Sequence, residues 1–151
     1  MKGPLMAKTL PSFDLESYLP YRLTVIAAEL SAGLAKQYLA RFSISIAEWR
    51  VLVNVGYTKG LSVRDIEKRV GLEKSKVSRA ATKLETKGYL AKQVDSDDRR
   101  LLKLTLTDAG VQLLHELIPI AENYQAGLLQ KLDHQADALH AALDKLMEKP
   151  K

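Results

Sequence analysis

The stretch from Leu61 to Thr107 constrains this chain most. Val63, Ile66 and Val70 recur at helical spacing and Gly71 follows, so a short amphipathic helix with a glycine stop is expected. Ser62, three residues before Asp65, supplies the start, a capping box with Asp in place of the usual Glu. A second helix places Val77, Ala80, Ala81 and Leu84 on one side, and Gly88 ends it. Leu102, Leu104 and Leu106 then alternate with Lys103 and Thr105, the pattern of a half-buried strand, and Tyr89, Leu90 and Val94 supply its partner. The order is helix, turn, helix, two-stranded wing.

The free side of the second helix points to a chemistry. Ser75, Lys76, Ser78, Arg79, Thr82 and Lys83 remain when the apolar face is buried. Lys and Arg reach guanine edges in the major groove, and hydroxyls reach phosphates or bases. Ser62 and Arg64, at the start of the first helix, join this candidate DNA-binding set. The turn between the strands adds Asp98, Arg99 and Arg100. An arginine there suits a narrow minor groove, with Asp98 orienting Arg100 by a charge-assisted hydrogen bond. Charge agrees with this placement. Residues 61–103 hold twelve Lys and Arg against seven Asp and Glu, whereas the rest of the chain holds eleven of each, so the whole net charge of +5 lies in this segment.

The flanks are helical. Leu15, Leu19, Leu23, Ile26, Leu30, Leu34 and Tyr38 form a stripe in which Pro20 must occupy a first turn, so a short turn precedes a helix over about 20–41. Ser45 and Glu48 form a capping box for a helix whose core face is Ile46, Trp49, Leu52, Val53 and Gly56. Thr107 caps a long helix, and Asp133 is expected to cap a last one with Ala136, Leu139, Leu143 and Leu146 on one face. These stripes exceed what the small winged segment can cover. A second copy of the chain would bury them, which places residues 14–42 and 107–148 in a dimerisation region and residues 45–106 in a DNA-binding part of one domain spanning 1–151.

No apolar run reaches the roughly 18 residues that a membrane span needs, and no secretory segment is visible, so a cytoplasmic location is expected. The absence of cysteine excludes a thiol switch. His115, His134 and His140 have no metal-ligand spacing, and no catalytic triad or phosphate loop occurs, so no metal, cofactor or enzymatic activity is expected.

Asp98-Arg99-Arg100 followed by Leu104-Thr-Leu-Thr-Asp-Ala-Gly110, together with Lys76-Val-Ser-Arg79, resembles the MarR family of winged-helix regulators. The resemblance implies a mainly α fold with a small β-wing (α+β), a winged helix-turn-helix with a helical dimerisation region from both chain ends. It implies a homodimer on a pseudo-palindromic site in double-stranded DNA, released by a small-molecule effector. Leu19-Pro-Tyr-Arg22 and Glu48-Trp-Arg50 resemble members that regulate aromatic-acid catabolism by sensing hydroxycinnamoyl-CoA thioesters. An aromatic carboxylate or acyl-CoA is then the expected effector, with Arg22, Tyr38, Trp49, Arg50 and His115 on the helices that would line its space. The alternative is a winged-helix protein-interaction module, which calls for an apolar or acidic free face at residues 75–83.

Overall fold

The computed structural model describes residues 9–58, 62–70, 72–94, 97 and 102–148. It is mainly helical with a two-stranded antiparallel wing, the fold class that the sequence predicts. A 3-10 turn, Leu15–Ser17, precedes α1 (Leu19–Phe42), α2 (Ile46–Tyr57), α3 (Val63–Arg69) and α4 (Lys74–Thr86). Strands β1 (Leu90–Val94) and β2 (Leu102–Leu106) follow, then α5 (Asp108–Leu132), a 3-10 turn at Asp133–Gln135 and α6 (Ala136–Met147). The chain divides into two compact units, one ending at Gly33 and one starting at Leu34, with the division inside α1.

In the first unit, Pro20 lies in the first turn of α1, where its missing N–H costs no hydrogen bond. The Thr24 hydroxyl donates to the Pro20 carbonyl at 2.7 Å, and Phe13 meets Tyr18 edge-on at 5.2 Å. No described residue of this unit is buried, and Leu19, Leu23 and Ile26 stay exposed.

In the second unit, α1 ends at Ser43, whose φ of 56° is left-handed and whose amide donates to the Leu39 carbonyl at 3.2 Å. Both expected capping boxes are present. Ser45 and Glu48 exchange bonds of 3.2 and 3.1 Å, and Ser62 and Asp65 exchange two of 3.1 Å. The α4 helix ends at Gly88, whose φ of 88° only glycine adopts without strain. Val51, Leu52, Ile66, Val77, Leu84, Leu104 and Leu117 form the centre of the core. Each such side chain stabilises the fold by about 1.5–3 kcal/mol relative to exposure.

The wing pairs Leu90 with Leu106 at its base and Val94 with Leu102 towards its tip, and a further bridge joins Ser62 to Lys103. Of the three alternating leucines, Leu104 is buried, Leu106 is half-buried and Leu102 is exposed. The expected half-buried strand holds only near the base, because the core does not reach Val94 and Leu102, and both stay in solvent. Thr107 starts α5 as expected, accepting the Gly110 amide at 3.1 Å. Asp133 does not cap α6. Its amide bonds back to the Leu129 carbonyl at the end of α5, the 3-10 turn intervenes, and Gln135 precedes α6 without a side-chain cap. No residue of α6 is buried; Leu139 and Leu146 face solvent. No helix among the described residues is long and apolar enough to cross a membrane.

Candidate nucleic-acid interface

Two faces of α4 separate cleanly. Val77, Ala80, Ala81 and Leu84 are buried, and Ser75, Lys76, Ser78, Arg79, Thr82 and Lys83 are exposed. The Thr82 hydroxyl is turned back onto the Ser78 carbonyl at 3.0 Å, so its proton is already committed. Lys76, Arg79 and Lys83 line a shallow recess of about 170 Å³ with Ser45, Ala47 and Ala80. The N-terminal turn of α2 forms its other wall, so three side-chain cations and the positive end of a helix dipole face one space. Among the described residues no carboxylate lines it.

Arg64 is exposed on α3. Ser62 is not part of the exposed face. It is 5% exposed, its hydroxyl accepts the Asp65 amide, and its backbone bridges to Lys103. The Ser62 amide on the Asp65 carboxylate, followed by the hydroxyl contact, lowers the Asp65 pKa from its ordinary value. Asp98, Arg99 and Arg100 lie outside the described residues.

A second feature runs between α2 and α5. Two open recesses of about 460 and 500 Å³ share Tyr57, Ile118 and Glu122. His115 lines the first and Trp49 the second. Tyr38 and Arg50 line neither. Tyr38 is fully buried, with its ring 4.9 Å from that of Trp49 and its hydroxyl donating to the Leu117 carbonyl at 3.1 Å. That burial raises its pKa well above the usual phenol range. Arg50 donates to the Val70 carbonyl at the end of α3 at 3.3 Å. Arg22 belongs to the first unit and is exposed. Sequence reasoning missed Tyr57 and Glu122. Glu122 follows His115 and Ile118 by seven and four residues, a helical spacing that places all three on one side of α5. It also missed the pairing of Glu48 with Lys87. Glu48 is 3% exposed, and Lys87 Nζ lies 2.8 Å from its carboxylate.

A helix-turn-helix with a basic free face and an adjoining antiparallel wing is the winged-helix arrangement. Residues 42–101 match the family model described as MarR family. The chain is similar to the transcriptional regulator SarZ of Staphylococcus haemolyticus, 24% identical over 71% of this chain and 75% of that one. The matched stretch spans little more than half of several other curated relatives. Among solved structures, a MarR/EmrR family regulator from Acinetobacter sp. ADP1 superposes with a TM-score of 0.80 at 27% identity, covering 89% of this chain and 95% of that one. MepR of Staphylococcus aureus, solved in complex with DNA, gives 0.73 at 25% identity over 86% and 96%. Segment, fold and relatives agree in their similarity to transcriptional regulators of the MarR family.

Proposed function

We propose that this chain is a homodimeric repressor that reads a pseudo-palindromic DNA site and is released by a small aromatic effector. The exposed face of α4 carries the DNA reading. Lys76, Arg79 and Lys83 stand on it with Ser75 and Ser78, beside the α2 N-terminus and with no carboxylate among the described residues of the recess. A protein-interaction module would present an apolar or acidic face there. Arg64, Arg99 and Arg100 extend the set, Arg100 in the minor groove with Asp98 orienting it. The similarity to MepR, solved on DNA, supports the same reading.

Dimerisation is proposed on the uncovered stripes: Leu19, Leu23 and Ile26 in the first unit, and Leu139 and Leu146 on α6. One winged unit reads one half-site, and a two-fold dimer sets two recognition helices roughly 34–36 Å apart. The chain then works as one domain over 1–151, with dimerisation at residues 14–42 and 107–148.

The groove between α2 and α5 is the proposed effector site. Trp49 and Tyr57 suit an aromatic ring, but the charged group in the lining is Glu122, and among the described residues no Lys or Arg lines either recess. That chemistry favours the neutral acyl group of an aromatic CoA thioester over a free aromatic carboxylate, and a phenol hydroxyl on the ring could donate to Glu122. Fluorescence anisotropy with the protein's own promoter DNA tests the whole reading. Specific binding, relieved by hydroxycinnamoyl-CoA and not by the free acid, is expected. Equal affinity for promoter and random DNA would refute the regulator, and release by the acid alone would refute the thioester preference.

A further inference from the structure

We propose that Lys87 is a positioning residue that locks the end of α4 to the corner between α1 and α2, and so sets the recognition helix for DNA. The proposal rests on the DNA reading above. Its ground is a three-way contact. Lys87 Nζ lies 2.8 Å from Glu48 Oε2 and donates to the Ser43 carbonyl at 2.8 Å. The other Glu48 oxygen accepts the Ser45 amide at 3.2 Å. One ammonium therefore ties the residue that ends α1 and the capping box that starts α2 to the last turn of α4.

The geometry makes this tie strong and directional. The Glu48 side chain is 4% exposed, and a carboxylate so deeply buried is stable only while its charged partner stays in place. Lys87 is the C-cap residue of α4, its amide bonded to the Lys83 carbonyl at 2.9 Å. Ser43 holds a left-handed φ of 56°, so the corner has one defined backbone shape to grip. Lys76, Arg79, Lys83 and Lys87 follow at spacings of three, four and four, a single helical stripe. The first three line the solvent-facing recess, whereas Lys87 is turned onto the protein. A tilt of α4 away from the α2 N-terminus would separate the walls of that recess, and Lys87 is the bond that resists it.

The test uses the full chain and Lys87→Met, Lys87→Arg, Glu48→Gln and the Lys87→Met/Glu48→Gln pair, titrated with promoter and random DNA across a salt series. Lys87→Met should weaken promoter binding about tenfold at an unchanged salt slope, because no phosphate contact is lost. Glu48→Gln should also weaken it, although removing an anion near DNA would by simple electrostatics tighten it. The double variant should be no worse than the poorer single, and Lys87→Arg should bind nearly as the wild type does. A salt slope lower by about one in Lys87→Met, with tighter binding by Glu48→Gln, would make Lys87 a phosphate contact and overturn the proposal. Lowered thermal stability with wild-type affinity in both single variants would overturn it as well. Hydrogen exchange of the free proteins separates the two readings. If the wild type shows no promoter preference, the DNA reading falls. The lock then stands if the amides of Ser43–Ser45 and of the last turn of α4 exchange faster in Lys87→Met and Glu48→Gln, and falls if their protection is unchanged.

Discussion

The Thr107 hydroxyl donates to the Gly88 carbonyl at 2.6 Å, while its oxygen accepts the Gly110 amide at 3.1 Å. One side chain thus joins the exit of α4 to the start of α5 and closes the base of the wing, where the Thr107 amide also bonds to the Tyr89 carbonyl. Thr107→Val keeps the shape and removes both bonds. A loss of about 1–2 kcal/mol is expected from the missing cap. Urea denaturation measures it, and a midpoint equal to that of the wild type would show the cap to be dispensable.

Gly110 lies against the same backbone. A Cβ there would collide with the Tyr89 carbonyl oxygen and crowd Leu106 Cδ2. The neighbour is main chain, held in the wing, and cannot rotate away. Gly110→Ala should cost about 1–3 kcal/mol by overpacking, despite the better helix propensity of alanine. Increased stability in thermal melts would contradict the close approach.

Tyr38 gives a third measurement. Tyr38→Phe retains the ring against Trp49 and leaves the Leu117 carbonyl without the phenol donor. The expected cost is about 0.5–1.5 kcal/mol. Effector release from DNA should be unaffected, because Tyr38 lines neither recess. Trp49→Ala should change it. If both variants lost effector response equally, the placement of the effector in the groove would be wrong.

How these roles divide between legible and hidden follows from sequence distance. Ser45 with Glu48 and Ser62 with Asp65 are three residues apart, so helix starts can be read directly. The basic and apolar sides of α4 are likewise separable by helical spacing alone. Tyr38 and Arg50 are different. Whether an aromatic or an arginine on a helix faces a ligand or the protein depends on Leu117, 79 residues away, and Val70, 20 residues away. Glu48 was legible as a cap, but its pairing with Lys87, 39 residues on, was not. The exposure of Leu102 escaped for a related reason: alternation shows which leucines share a side of β2, but not how far the core reaches beneath them.

Asp65 provides a pH signature. Its folded pKa is lowered, chiefly by the Ser62 amide. Stability from this cap is therefore fully present above the unfolded carboxylate value of about 3.9 and is lost as pH falls through the lower folded value. Asp65→Asn should remove that part of the acid dependence. Urea midpoints of the two proteins should differ most at neutral pH and converge in acid; parallel profiles would show that the carboxylate charge contributes nothing.

The final prediction separates base reading from charge on α4. Arg79 and Lys83 are exposed and line the same recess, yet a guanidinium is a planar fork and an ammonium a point charge. Arg79 sits near the middle of Lys74–Thr86, where a side chain can point into the groove. Lys83 lies one turn on, nearer the helix end, where phosphate is the closer target. Arg79→Ala should relax sequence preference, costing about 1–3 kcal/mol on the promoter site and less on random DNA, because a bidentate guanine contact is lost. Lys83→Ala should weaken binding to every sequence and lower the salt slope by about one. Both should be titrated on promoter and random DNA over the same salt series. Equal losses on both DNAs from both variants would mean that α4 makes only electrostatic contact, and the recognition-helix assignment would then be wrong in kind.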